Sequence, residues 1–204
     1  PLPNKYSFPM YILGINYGRN TAAALIRDGE ILAAAEEERF NREKGTTKFA
    51  VNAVQYCLES EGISLSDVDF ITYSYDMSIG QVHMLKVFFR YFPKSLQAGM
   101  VRLKHFFRGS NTNELLSKKF NIPVADIKKK TRHVEHHVAH MSNAYYVSGF
   151  DDSALLSLDG SGEAATTVLG KAKDSEITKL QEIYFPYSIG LLYNTFTQFL
   201  GFRI

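Results

Sequence analysis

A strand, a short polar loop, a second strand, a tight turn and a third strand occur twice in this sequence. Tyr11–Asn16 is an apolar, β-prone run ending in a loop; Ala22–Ile26 resumes it, and Ile31–Ala35 follows the Asp28-Gly29 turn. Near the other end Ala154–Leu158 is a buried-type strand, Asp159–Glu163 an acidic, glycine-rich loop, and Ala164–Gly170 and Ile177–Phe185 are two further strands. A repeated three-stranded meander restricts topology far more than composition does.

The segments between the copies alternate in type. From Phe49 to Glu61, Val51, Val54 and Leu58 recur at helical spacing, and Gly62 supplies a stop. Phe70–Tyr73 is a short buried strand, and Gln81–Arg108 reads as helix broken near Pro93. Lys86, Arg90 and Lys94 on that helix, and Lys128-Lys129-Lys130 later, read as solvated faces, the latter in a loop between lobes or before a strand. The expected fold is α/β: mixed sheets with three-stranded meanders and flanking helices, the duplicated actin-like ATPase or ribonuclease H-like architecture. Residues 1–150 would form a first lobe and 151–204 the truncated start of a second. In that architecture a nucleotide sits between lobes, and the loop after each first strand faces its phosphates.

Composition excludes some functions. With 45% apolar residues the chain can build a core, and a formal charge of +2 gives no strong field for nucleic acid or membrane, so neither is an expected partner. The one cysteine, Cys57, sits in a helical apolar pattern with no cation or histidine nearby to lower its pKa, so it is expected to be structural. No basic segment followed by an apolar one opens the chain, and no run approaches the roughly 20 apolar residues of a membrane span. A soluble, cytoplasmic protein is expected.

Chemistry concentrates in His133-Val134-Glu135-His136-His137-Val138-Ala139-His140 and Leu158-Asp159-Gly160-Ser161-Gly162-Glu163. His136 and His140 are one helical turn apart, which is metal-ligand spacing. His137 occupies the place of the glutamate in an HExxH peptidase motif, which argues against that chemistry. Asp159, at the end of a buried-type strand, can complete a metal site, and two imidazoles with a carboxylate suit iron(II), manganese or zinc. Gly160, Ser161 and Gly162 would let backbone N–H groups approach an anion.

At this point the sequence resembles the carbamoyltransferases of nodulation and antibiotic biosynthesis, the NodU/CmcH family, whose N-terminal part is related to the Kae1/TsaD proteins of tRNA threonylcarbamoyl modification. The resemblance rests on Leu13-Gly14-Ile15-Asn16, Ala22–Gly29, Glu37-Glu38-Arg39-Phe40-Asn41-Arg42, His136–His140, Asp159–Glu163 and Phe185–Tyr193, in that order. It implies an ATP-dependent enzyme moving a carbamoyl group from carbamoyl phosphate, through carbamoyladenylate, to a hydroxyl of a small-molecule acceptor such as a sugar or antibiotic. A C-terminal YrdC-like domain, absent from this chain, would make the adenylate. His136, His140 and Asp159 would hold a divalent metal, and Gly160, Ser161, Gly162 and Glu163 would contact the adenylate phosphate. Lys44 would offset negative charge nearby.

Two departures from the family pattern stand out. The first loop carries Arg19 and Asn20 where the family usually has histidine and aspartate, and arginine cannot act as a general base. The chain also stops at Ile204, before a further metal ligand of the family, so the fragment alone is expected to be inactive. The competing readings are a tRNA threonylcarbamoyl transferase-like protein and a non-catalytic nucleotide-binding scaffold. Self-association as a homodimer is an open alternative.

Overall fold

A computed structural model describes residues 9–18, 20–76, 78–97, 99–100 and 112–202. Contacts divide the chain into two compact units, Pro1–Ser74 with His105–His133, and Tyr75–Lys104 with Val134–Ile204.

The first unit opens with β1 (Tyr11–Asn16), β2 (Ala22–Arg27) and β3 (Glu30–Glu36), paired antiparallel. Asp28 and Gly29 join β2 to β3 with φ of 51° and 88°, the pair of left-handed residues whose twist suits a two-residue hairpin. After the short α1 (Glu38–Asn41), α2 (Val51–Ser60) buries Ala53, Val54, Cys57 and Leu58; Val54, Cys57 and Leu58 are on the face the sequence predicts, whereas Val51 is only half-buried. Strand β4 (Phe70–Tyr73) then pairs parallel with β1. This sheet is completed as β3-β2-β1-β4-β5 by β5 (Thr131–His133), parallel to β4. Leu13, Ile15, Leu25 and Ile71 form its core with α2.

The second unit contains α3 (Gln81–Arg90), which ends before Pro93; the rest of the helix expected to Arg108 falls partly outside the described residues. The first unit supplies the next two helices, α4 (Thr112–Phe120) and α5 (Val124–Lys130). The second unit resumes with α6 (His136–Tyr145), β6 (Asp152–Leu158), β7 (Ala165–Lys173), β8 (Glu176–Tyr184) and α7 (Ile189–Phe199). Strands β6-β7-β8 form an antiparallel meander, the second copy of the pattern, and its last turn again uses two left-handed residues, Asp174 and Ser175. Met141 and Tyr145 of α6 pack on Leu155, Val168 and Ala172 of that sheet.

The architecture is the expected mixed α/β: a mixed sheet, two three-stranded meanders and flanking helices. Two features differ from the expectation. The lobe boundary placed at residue 150 falls inside the second unit, because Met141 and Tyr145 bury their side chains on the β6–β8 sheet. Lys128-Lys129-Lys130 is the last turn of α5 and no loop: cations suit the negative end of a helix, and Lys130 Nζ donates to Ser66 O at 2.6 Å and Val68 O at 2.7 Å. Among the described residues no helix is long and apolar enough to cross a membrane.

Candidate functional site

His136 is the first residue of α6 and His140 lies one turn on, so both imidazoles project from one side of its N-terminal end. Asp159 directly follows β6, where the strand leaves the sheet. Its Oδ2 lies 2.5 Å from His136 Nε2 and 3.6 Å from His140 Nε2, and the two Nε2 atoms are 3.0 Å apart. Hydrogen bonds from His136 and His140 hold the Asp159 carboxyl well below the usual carboxylate range, so it is an anion at neutral pH.

Three donors this close could hold one metal ion. With bonds of about 2.0–2.2 Å, neighbouring ligands of a tetrahedral ion sit about 3.3–3.6 Å apart; the His140–Asp159 separation falls there, and the two shorter ones, 2.5 and 3.0 Å, are hydrogen-bond lengths that an ion would open. Among the described residues these are also the one group of three or more histidine, cysteine or carboxylate residues that converge in this way. Two imidazoles and a carboxylate match the donor set of iron(II) and zinc sites. His140 is about half exposed, which leaves one side of the cluster accessible.

The surroundings fix these groups. Gly160 N donates to Asp159 Oδ1 at 2.6 Å, setting the carboxylate's orientation. The buried Glu163 accepts at one oxygen from His136 N, 2.9 Å, a donor that the start of α6 leaves without a helical partner, and from Asp76 N, 2.8 Å, in the loop after β4. Tyr75 Oη donates to Gly162 O at 3.0 Å, and the ring edge of Tyr75 meets His136. On the far side Ser188 caps α7, accepting from Leu191 N, while its hydroxyl lies 3.0 Å from Asp159 O and 2.8 Å from Gly160 O. Gly190 comes so close that a Cβ would fall 2.4 Å from the Asp159 carbonyl carbon and 2.5 Å from Gly160 N.

The remaining sequence-derived residues divide as follows. Within Asp159–Glu163, the N–H groups of Gly160 and Gly162 donate to Asp159 Oδ1 and Ala165 O, Ser161 Oγ donates to Gly162 O at 3.1 Å, and Glu163 serves the fold as a helix cap. Asn20 and Lys44 lie in the first unit. Asn20 has φ 55°, a conformation asparagine tolerates, and its carbonyl accepts from Asn16 Nδ2 at 3.1 Å; Lys44 is exposed in a turn. Arg19 lies outside the described residues. Sequence reasoning missed the supporting contacts of Tyr75, Ser188 and Gly190. For Ser188 a signal existed, since serine before an apolar helical run is a capping pattern.

Fold and site together define a mixed α/β protein with a two-histidine, one-carboxylate cluster at the start of a helix. The chain belongs to the carbamoyltransferase N-terminus family, whose model matches residues 11–204. It is 36% identical over 199 residues to the uncharacterized protein sll1178 of Synechocystis sp., covering 95% of this chain and 32% of that protein. It is 33% identical over 181 residues to the nodulation protein NolNO of Sinorhizobium fredii, covering 89% and 25%. The chain thus spans a third or less of these relatives' length. Among solved structures, YeaZ from Pseudomonas aeruginosa is similar at 13% identity and a TM-score of 0.44, over 87% of this chain and 68% of that one.

Proposed function

We propose that this chain is the N-terminal part of a cytoplasmic, ATP-dependent carbamoyltransferase that passes a carbamoyl group from carbamoyladenylate to a hydroxyl of a small-molecule acceptor. The convergence of His136, His140 and Asp159 in a chain of the carbamoyltransferase N-terminus family carries the reading.

In this reading His136, His140 and Asp159 hold a divalent ion, iron, manganese or zinc, which when bound supplies Lewis acidity toward the adenylate phosphate and the transferred group. Asp159 contributes the negative charge, and Gly160 N and Glu163 keep it and His136 in place. The loop from Gly160 to Gly162 would contact the phosphate, with Ser161 its one hydroxyl. Carbamoyl phosphate and ATP are turned into the adenylate by a YrdC-like domain elsewhere in the longer protein.

The longer protein should consume carbamoyl phosphate and ATP and release pyrophosphate, and His136→Ala should abolish transfer while adenylate formation continues. Equal loss of both steps would remove the two-site assignment. Metal analysis of the chain tests the cluster directly: binding that survives His136→Ala and His140→Ala would sink it. A second reading, a nucleotide-binding scaffold without transfer activity, is favoured by Arg19 and Asn20 in the first loop. It forecasts metal binding with no turnover of any acceptor.

A further inference from the structure

His137 stands between the two candidate ligands in sequence, yet it points away from them into the protein and is fully buried. Its Nε2 is 3.0 Å from Ala165 O, and its Nδ1 is 2.8 Å from Ser157 Oγ. A carbonyl oxygen only accepts, so Nε2 carries the proton; Nδ1 is then the acceptor for the Ser157 hydroxyl. Both ring nitrogens are engaged, which leaves His137 no lone pair for a metal.

The two partners lie on the two stems of the hairpin that bears Asp159. Ser157 is on β6, two residues before Asp159, and Ala165 is the first residue of β7. Ala165 O also accepts from Gly162 N at 2.8 Å, the bond that closes the loop, so imidazole and loop share one acceptor. Gly162 lies against the ring: a Cβ there would sit 3.0 Å from His137 Cδ2 and 3.3 Å from His136 Cδ2. The helix carrying His136 and His140 is thereby pinned to both sides of the loop carrying Asp159.

We propose that His137 is a positioning residue, whose paired hydrogen bonds to Ser157 and Ala165 set the separation of Asp159 from His136 and His140 and so the affinity and geometry of the metal site. The inference rests on the metal reading given above. Groups that orient ligands without touching the ion are worth about 10–100-fold in metal affinity.

The test is a titration of the full chain with zinc(II) against a chromophoric chelator and with cobalt(II) read by its visible spectrum, alongside thermal unfolding. Wild type should bind and His140→Ala should not; equal binding by the two would overturn the metal reading and leave His137 nothing to position. Given binding, His137→Phe should weaken it about tenfold or more and shift the cobalt spectrum. His137→Gln, whose amide can still donate to Ala165 O, should recover part of both, and Ser157→Ala should show a smaller loss. Val168→Ala, a core change that removes neither hydrogen bond, should lower the unfolding temperature but leave affinity and spectrum as in wild type. Wild-type affinity and spectrum in His137→Phe, or in both Ser157→Ala and His137→Gln where the phenylalanine variant does not fold, would overturn the proposal. A loss in Val168→Ala equal to that in His137→Phe would overturn it too.

Discussion

Glu163 accepts the backbone N–H of His136 at 2.9 Å, so the loop that begins with one candidate ligand caps the helix that begins with another. The same oxygen takes the N–H of Asp76. Removing the carboxylate takes a shared acceptor from two partly buried N–H groups, and each such loss costs about 1–3 kcal/mol. Glu163→Ala should therefore lose about 2–4 kcal/mol of unfolding free energy in urea. Glu163→Gln, which keeps an acceptor oxygen, should lose less than half of that.

Gly190→Ala places a methyl group within bonded-type distance of the Asp159–Gly160 peptide, and both sides of that contact are backbone. Relief requires moving either the start of α7 or the loop. The expected cost is about 1–3 kcal/mol, as for an overpacked core. Metal affinity should fall with it, whereas Gly149→Ala, where a Cβ meets nothing within 4 Å but φ is 76°, should lower stability alone. Melting temperature and chelator competition on the same samples separate the two.

Tyr73 is fully buried, and burial pushes its phenol up to about 12. The unfolded chain ionises this group near 10, so the neutral form favours the fold. That contribution is complete below about pH 10 and is lost as pH rises through about 12, amounting to roughly 2–3 kcal/mol. Tyr73→Phe should be less stable at neutral pH, having lost the hydrogen bond to Asn113 Oδ1, yet should show a shallower decline between pH 10 and 12. Denaturant midpoints across that range check the slope; parallel curves would refute it.

Cys57 is buried in α2 against Ala23 O, and burial pushes its thiol up. A thiol held in the unreactive form and shielded from solvent should not react with a disulfide reagent in the native protein. Stoichiometric release should appear only in denaturant, with a rate that follows global unfolding.

Much of this arrangement was legible before any coordinates. The apolar, β-prone run Tyr11–Asn16 and the Asp28-Gly29 turn marked the first strands, and the i, i+4 spacing of His136 and His140 singled out the candidate pair from the three histidines of α6. What stayed hidden depends on partners distant in sequence. Strand β5 is three residues long with no apolar alternation, and it exists because Thr131, Arg132 and His133 pair with β4 across some 60 positions. The lysines before it looked like loop because their charge masks a helix that buries only Ile127. The buried acids Glu37 and Glu163 each cap a helix from outside it, Glu37 by accepting from Asn52 N and Ala53 N. Nothing local marks either as different from the exposed glutamates around it.

The second unit is built from two pieces of chain, with the shorter segment of the first unit, His105–His133, lying between them in sequence. His83 Nε2 meets Phe185 O at 2.7 Å, a contact spanning 102 positions, and Gly80 packs on Ala164. On a ribosome, therefore, α3 emerges long before the strands it belongs with, and it must wait unpaired while α4, α5 and β5 are made. Long-range closure of this kind slows folding and exposes apolar surface in the interval. Cutting the gene after β5 would leave α3 attached to the wrong half, so the two units cannot be separated at any single point in the chain.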